Sequence, residues 1–157
     1  MNAVVVTISD RVSAGAAEDL SGAAAADLLG GLGFDVVRTV VPDGVESVAD
    51  ALRNALEKKP DLIVTTGGTG VGPRDHTPEG TRTVIDREVP GLGEAMRAAT
   101  FGVNPHGVLS RGICGITGNT LVVNLPGSPN AVRESLAIIG PALEHAVSLI
   151  TGRPTAH

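Results

Sequence analysis

Residues 65–79 read TTGGTGVGPRDHTPE and follow the short apolar run Leu62-Ile63-Val64. The apolar run predicts a buried strand. At the other end of the segment, Thr77 can cap a helix, Pro78 suits the first helical position and Glu79 favours the positive end of a helix. A glycine-rich loop therefore leaves the carboxyl end of a strand. Open α/β sheets bind ligands there, and backbone amides freed by glycine can wrap an anion.

The side chains of this loop separate it from two common phosphate-binding motifs. It is not a Walker A loop, because no Lys-Ser or Lys-Thr pair follows the glycines, and Pro73 stands where the G-x-G-x-x-G pattern needs its third glycine. A purely structural turn is the alternative interpretation, but such a turn needs neither Arg74 nor Asp75. We interpret the loop as a candidate anion site that also carries a possible metal-binding carboxylate.

Composition limits the classes of function. The 157 residues suffice for one domain that buries about 70% of its unfolded surface. Only Phe34 and Phe101 are aromatic, so the core must consist of Val, Leu, Ile and Ala, which suits parallel strands packed against helices. The net charge of −5 and the lack of aromatic stacking residues argue against a nucleic-acid partner.

The single cysteine and the absence of a long apolar segment give further limits. Cys114 rules out an internal disulfide and a cysteine-rich metal site, and its apolar, glycine-flanked setting predicts a buried side chain. The histidines, His76, His106, His145 and His157, have no common zinc spacing. No segment approaches the length of a membrane span, and a strand begins at once without a signal peptide. We expect a cytoplasmic protein with no membrane partner.

Strand and helix patterns alternate along the chain. Strands are predicted at 3–9, 35–41, 62–64 and 120–125, with short candidates at 107–110 and 112–117. Helices are predicted from a cap at Asp19 or Ser21 to Leu29, and then over 45–58, from 78 to about 85, over 92–100 and from 131 onwards. Gly140-Pro141 is expected to divide or kink the last helix.

This alternation predicts an α/β fold, a three-layer αβα sandwich with a mostly parallel central sheet. Residues 1–152 are expected to form a single domain, and 153–157 a frayed tail. Polar loops at Asp10, Asp43, Gly67 and Gly127 each follow a strand. Because parallel strands end at one edge of a sheet, these four loops are predicted to converge on one cleft.

Several segments together resemble the molybdopterin adenylyltransferase family, the Mog/MoaB type of molybdenum cofactor biosynthesis protein. The resemblance covers essentially the whole chain in the family's order. The matching segments are 8–11 (ISDR), 19–22 (DLSG), the glycine loop through Glu79, 89–97 (VPGLGEAMR), 109–112 (LSRG) and 125–129 (LPGSP). One departure is His76, where the family commonly has a small aliphatic residue.

The resemblance implies transfer of AMP from MgATP to the terminal phosphate of molybdopterin, with release of pyrophosphate. It casts Asp43 and Asp75 as the essential carboxylates and as ligands of Mg²⁺ or organisers of its water shell. It also implies a set of substrate- and nucleotide-binding residues, with Glu94 a candidate for hydrogen bonding the pterin. The set is Ser9, Asp10, Gly67, Gly68, Thr69, Gly70, Arg74, Glu94, Ser110, Arg111, Pro126, Gly127 and Ser128.

Other interpretations remain at this point. Molybdenum insertion proteins and the competence-damage-inducible type share a related domain with a variant glycine loop, but Thr69 and Pro73-Arg74-Asp75 favour adenylyl transfer. A non-catalytic molybdopterin carrier or scaffold is the other alternative, although a passive binder of an anion gains nothing from two carboxylates. For partners, the resemblance implies a homo-oligomer, with a trimer favoured and a hexamer possible, and a hand-over of product to a molybdenum insertion protein.

Separate structural explanations also exist for single residues. Asp43, in Pro-Asp-Gly, is also typical of a turn. Arg74 and Asp75 are adjacent and opposite in charge, so that they can simply pair with each other. Glu94 can serve only to favour the start of its helix.

Overall fold

The computed structural model of the protein describes residues 1–154. Within that part of the chain the strands are β1 (Asn2–Ile8), β2 (Asp35–Val41), β3 (Leu62–Thr66), β4 (Arg87–Glu88), β5 (Cys114–Thr117) and β6 (Thr120–Leu125). They form one six-stranded sheet in the order β2-β1-β3-β6-β5-β4. The four strands β2, β1, β3 and β6 are parallel, whereas β5 is antiparallel to both of its neighbours. The mostly parallel sheet expected from the sequence is confirmed.

The helices of the described residues fill the connections between the strands. They are α1 (Asp10–Ser13), α2 (Leu20–Gly31), α3 (Val45–Leu56), α4 (Thr77–Arg82), α5 (Pro90–Thr100) and α6 (Pro129–Thr151), with a 3-10 helix at Gly107–Leu109. Side-chain oxygens satisfy amides at three helix starts, because Ser9, Asp19 and Ser128 accept hydrogen bonds from the first turns of α1, α2 and α6. The polar residues that precede these helices thus define where they begin.

Two apolar layers cover the sheet. On one face, Leu29 of α2 and Leu136 of α6 pack with Val5 of the central strand β1. On the opposite face, Leu52 of α3 packs with Val6. Successive residues of a strand point to opposite faces, so β1 supplies both layers. The result is the predicted three-layer αβα sandwich.

The register of the parallel strands aligns their carboxyl ends. Ile8 pairs with Val41, Thr7 pairs with Thr66, and Thr66 pairs with Leu125. The segments that follow β1, β2, β3 and β6 therefore leave the sheet at the same edge. This confirms the predicted convergence of four loops.

Three local predictions are wrong. The sequence predicts a strand at 107–110, but Gly107–Leu109 is a 3-10 helix, and pairing with β6 begins only at Cys114. Thr77 does not cap α4; His76 takes the cap position because the Thr77 hydroxyl donates to the Gly67 carbonyl at 2.8 Å.

The third concerns Gly140-Pro141, where the sequence predicts a division or a kink; the division is wrong, since α6 continues through Pro141. A proline inside a helix costs about 3 kcal/mol. Fully or almost fully buried side chains flank the position on the same helix, and their packing against the sheet offsets that cost. These side chains are Leu136, Ile139, Leu143 and Val147.

The predicted tail at 153–157 lies largely outside the described residues, which end at 154. Arg153 does have a partner: its Nη2 donates to Asp61 Oδ1 at 2.7 Å. Over the described range, every helix is too short or too polar to cross a bilayer.

Candidate active site

A cleft of about 380 Å³ lies at the carboxyl edge of the parallel strands. It is bounded by the end of β1, the start of α2 and the loops that follow β2, β3 and β6. The predicted site residues that line it are Ser9, Asp43, Gly67, Gly68, Asp75 and Gly127. Segments that are far apart in the sequence thus meet at one edge of the sheet, where α/β folds bind ligands.

Asp43, which lines this cleft, is held by reciprocal backbone contacts with Asp10. The Asp10 N–H donates to Asp43 Oδ2 at 2.8 Å, and the Asp43 N–H donates to Asp10 Oδ1 at 3.1 Å. Arg74 makes a bidentate contact with Asp10, in which Nε and Nη2 each lie 3.0 Å from a carboxylate oxygen. This guanidinium lowers the pKa of the Asp10 carboxyl. Arg74 therefore pairs with Asp10 and does not form the alternative pair with its neighbour Asp75.

The glycine loop approaches the end of β1 closely. Gly67 has φ +98, and a Cβ there would lie 2.3 Å from the carbonyl oxygen of Ile8. Gly68 has φ +64, and a Cβ there would lie 2.3 Å from the Thr77 hydroxyl. Both positions need glycine for conformation and for space. The loop backbone consequently forms part of the cleft wall.

The amides of the loop are not equally available to an anion. The Gly67 N–H already donates to the Leu125 carbonyl at 3.2 Å, contrary to the implied phosphate contact at this residue. The N–H groups of Gly68, Thr69 and Gly70 donate to no other protein group in the described part of the chain. Anion binding by this loop therefore depends on the amides after Gly67.

Asp75 is held by the turn that precedes it. Its Oδ2 accepts the Gly72 N–H at 2.8 Å, and its own N–H donates to the Gly72 carbonyl at 3.1 Å. A Cβ on Gly70 or Gly72 would lie within 3 Å of this carboxylate oxygen, at 2.8 and 2.9 Å respectively. The absence of a side chain at these two glycines thus makes room for the Asp75 carboxylate.

Arg111 contacts the glycine loop through both its backbone and its side chain. Its backbone N–H donates to the Thr69 carbonyl at 2.8 Å, and its Nε donates to the Gly70 carbonyl at 2.7 Å. Its Nη2 donates to the Asp75 carbonyl at 2.6 Å, while Nη1 donates to the Glu79 carboxylate. The implied substrate-binding Arg111 is thus engaged within the protein.

A second cavity of about 370 Å³ lies between α5 and α6. Most of its wall is apolar, with Met96, Val103 and Ile138 among the lining residues, and it includes Ser110 and Pro126. Pro126 lines this groove and its neighbour Gly127 lines the cleft. The segment after β6 therefore lies between the two cavities. The implied site residues that line neither of them are Asp10, Thr69, Gly70, Arg74, Glu94, Arg111 and Ser128.

Other implied site residues have local partners. The Ser9 hydroxyl accepts the Val12 N–H at 3.2 Å while Ser9 also lines the cleft. The Ser128 hydroxyl accepts the Ala131 N–H at 3.1 Å and so caps α6. Glu94 is an exposed residue of α5 and lines neither of these two cavities.

The sequence patterns place three further residues at helix starts, correctly for the Asp19 cap, but assign none of the three to the site. Thr77 is fully buried and holds the Gly67 carbonyl through its hydroxyl. Asp19 caps α2, and the Thr7 hydroxyl donates to its carboxylate, with each carboxylate oxygen 3.0 Å from the hydroxyl oxygen. Glu79 pairs with Arg111, which lies 32 positions later in the sequence. The Thr-Pro-Glu and Asp-Leu-Ser-Gly motifs contain these residues, but motifs do not reveal their partners.

The donor set of the cleft fits Mg²⁺ bound together with a nucleotide. Within residues 1–154 there is no cluster of three or more His, Cys, Asp or Glu side chains that would form a complete metal cage. Three carboxylate residues line the cleft instead, Glu18, Asp43 and Asp75, and the resemblance implies a metal-binding role for the pair Asp43 and Asp75. Mg²⁺ is commonly held by one or two carboxylates plus substrate phosphates, so this pair is chemically suitable.

The fold and the cleft together define an α/β protein with a candidate ligand site at the carboxyl edge of its mostly parallel sheet. Residues 4–145 match the family described as "Probable molybdopterin binding domain". Because this match spans most of the chain, the protein belongs to that family.

Three relatives illustrate the similarity. The chain is 40% identical over 157 aligned residues to the molybdopterin adenylyltransferase of Helicobacter pylori strain J99, covering 94% of this chain and 86% of the relative. It is 38% identical to gephyrin of Dictyostelium discoideum over 96% of this chain, but it spans only 22% of the length of gephyrin. The crystal structure of the molybdopterin biosynthesis enzyme MoaB from Thermus thermophilus superposes with a TM-score of 0.91 at 44% identity, and 98% of each chain is covered.

Proposed function

We propose that this protein is a molybdopterin adenylyltransferase that transfers AMP from MgATP to the terminal phosphate of molybdopterin. The similarity to the Helicobacter pylori enzyme, 40% identical over 94% of this chain, carries the proposal. The cleft supports it, because amides of the glycine loop and the carboxylates of Asp43 and Asp75 lie at one edge of the sheet. Phosphoryl chemistry on two anions needs both kinds of group.

In the proposed reaction, a terminal phosphate oxygen of molybdopterin forms a bond to the α-phosphorus of ATP. The bond from that phosphorus to the bridging oxygen breaks, and pyrophosphate leaves with the bonding electrons. The amides of Gly68, Thr69 and Gly70 and the Thr69 hydroxyl are proposed to bind phosphate oxygens, and Arg74 to contact the nucleotide. Asp43 and Asp75 would hold Mg²⁺, which when bound offsets the repulsion between the two phosphates.

Product formation tests the proposal directly. Purified protein incubated with molybdopterin and MgATP should yield adenylylated molybdopterin, identified by mass, and one pyrophosphate for each product. Omitting molybdopterin or Mg²⁺ should abolish both signals. A protein that binds molybdopterin but releases no pyrophosphate would instead be a carrier, and the proposed activity would be wrong.

We also propose that the protein acts as a homo-oligomer, with a trimer favoured. Phe101 and Val103 are 80% and 83% exposed just after α5, and Val103 lines the apolar groove between α5 and α6. Large apolar side chains exposed together are typical of surfaces that become buried in an assembly. The mass from light scattering should therefore exceed that of one chain. It should fall in Phe101→Asp but not in Leu149→Asp, which changes an exposed leucine at the far end of α6.

Two further expectations depend on this activity. Because ATP, the proposed co-substrate, is available in the cytoplasm, we propose that the reaction takes place there. The adenylylated product would then be passed to a molybdenum insertion protein. Co-purification of the two proteins, or faster metal insertion when both are present, would support this transfer.

A further inference from the structure

The Arg111 guanidinium binds backbone carbonyls at both ends of the segment 70–75 within the glycine loop. The Gly70 carbonyl accepts from Nε at 2.7 Å, and the Asp75 carbonyl accepts from Nη2 at 2.6 Å. Between these two contacts, residues 71–74 are exposed and receive no support from the apolar layers. Polar contacts must therefore hold the loop, and the guanidinium supplies two of them.

Glu79 in turn orients the guanidinium. Glu79 Oε1 accepts from Nη1 of Arg111, and Glu79 Oε2 lies 3.4 Å from Nη2. The pair lowers the pKa of the Glu79 carboxyl and raises the pKa of Arg111. Both side chains are a little over one third exposed, at 37% and 38%. The charged pair therefore fixes the plane of the guanidinium against α4.

These contacts leave little of Arg111 for a substrate. A guanidinium has five N–H groups in a rigid fork, and here contacts with Gly70, Asp75 and Glu79 occupy all three of its nitrogens. By contrast, Arg74 is exposed, and its contacts with the Asp10 carboxylate and the Asp43 carbonyl use only Nε and Nη2. The two arginines therefore differ in how much of the guanidinium is already engaged within the protein.

We propose that Arg111 is a positioning residue for Asp75, with Glu79 orienting its guanidinium, and that it is not a direct ligand of either substrate. This proposal rests on the proposed adenylyltransferase function. Arg111 holds the backbone carbonyl of Asp75, the residue that bears the carboxylate. This contact therefore helps to fix where the carboxylate lies. Loss of that contact lets the carboxylate occupy positions away from the reacting phosphates, and a misplacement of about 1 Å can cost about 100-fold in rate.

The test compares Arg111→Lys and Glu79→Gln with wild type in kcat, in KM for ATP and molybdopterin, and in thermal unfolding. Lysine keeps the charge but cannot reach both carbonyls and Glu79 at once. We expect Arg111→Lys to lower kcat by about 10- to 100-fold and to change either KM by less than about threefold. Glu79→Gln should act in the same direction with a smaller loss.

Arg82→Lys is the matched control. Arg82, the last residue of α4, forms an exposed pair with Glu88 at 3.3 Å and does not line the cleft. It should keep wild-type kcat and KM. If Arg111→Lys fails to fold, Glu79→Gln takes its place. A lower kcat with nearly unchanged KM then supports the inference, and a raised KM with unchanged kcat contradicts it.

A second measurement separates positioning of Asp75 from a general loss of structure. In the Asp75→Asn background, Arg111→Lys should change the residual rate by no more than about twofold, because the carboxylate it positions has gone. A rise in KM with unchanged kcat, unchanged kinetics, or an equal loss in both backgrounds would overturn the inference. Failure of the wild-type protein to form product counts against the proposed function and is seen before any variant is made.

Discussion

Asp43 and Asp75 line the same cleft, and each has one carboxylate oxygen held by a backbone N–H. Asp43 Oδ2 accepts from Asp10 at 2.8 Å, and Asp75 Oδ2 accepts from Gly72 at 2.8 Å. Two carboxylates in one cleft repel each other unless a cation joins them. The protein therefore fixes both groups by its backbone before any ligand is bound.

Replacing either carboxylate by an amide should cut adenylylation by orders of magnitude. Asp43→Asn and Asp75→Asn keep an oxygen for the backbone N–H but remove the charge, so the fold and molybdopterin binding should be nearly unchanged. If both serve one ion, the double variant should be little worse than the poorer single variant. Mg²⁺-dependent rates of the four proteins measure this. Fully multiplicative losses, or normal turnover in either single variant, would exclude a shared metal site.

Gly67→Ala should destabilise the protein more than Gly33→Ala. The φ angles are similar, +98 and +87, so the conformational cost of a side chain is comparable. The environments differ, since a Cβ at Gly67 would lie 2.3 Å from the Ile8 carbonyl oxygen, whereas a Cβ at Gly33 has no neighbour within 4 Å. Crowding of this kind costs about 1–3 kcal/mol in the free energy of unfolding. Denaturant titrations of both variants check the difference, and equal destabilisation would refute it.

Cys114→Ala should leave turnover unchanged. Cys114 is 1% exposed, and burial raises the pKa of its thiol to about 12, so it is almost entirely protonated at neutral pH. For the same reason the folded protein should resist a thiol reagent at pH 7, and the denatured protein should react at once. Rapid labelling of the folded protein, or loss of activity in a folded Cys114→Ala variant, would contradict the assignment.

The Glu79–Arg111 pair should make part of the stability depend on pH. Because Arg111 lowers the pKa of Glu79 in the folded state, the unfolded state takes up the proton first as pH falls. The contribution is complete above the pKa of an unfolded glutamate, about 4.3, and is lost as pH falls through the lower folded value. The difference in free energy of unfolding between wild type and Glu79→Gln should accordingly shrink from pH 6 to pH 3. A constant difference would show that the carboxylate charge contributes nothing.

A sequence pattern predicts features that neighbouring residues determine, and it fails where distant parts of the chain determine the structure. The predicted bounds of β2 and β6 match the observed ones, because segments rich in β-branched and apolar residues are bounded there by turn residues. The 3-10 helix at Gly107–Leu109 resembles a strand in sequence, since a short apolar run does not reveal that no partner strand lies beside it. The helix through Pro141 escapes prediction because its stability comes from packing against the sheet, which lies elsewhere in the sequence.

The same distinction applies to the site. The convergence of the loops that contain Asp43 and Gly67 follows from strand direction alone, and the sequence is sufficient to predict it. The pair formed by Glu79 and Arg111 depends on the position of β6 between β3 and β5, which places the segment before β5 beside the glycine loop. No local pattern contains that information.

The sparse aromatic content gives the protein an unusual spectroscopic property. It has no tryptophan or tyrosine, and of its two phenylalanines Phe34 is buried whereas Phe101 is 80% exposed beside the α5–α6 groove. The protein therefore has almost no intrinsic fluorescence at the wavelengths that excite tryptophan. A Phe101→Trp substitution would place a single fluorophore on that surface, and its emission would report contacts made there without interference from the rest of the chain.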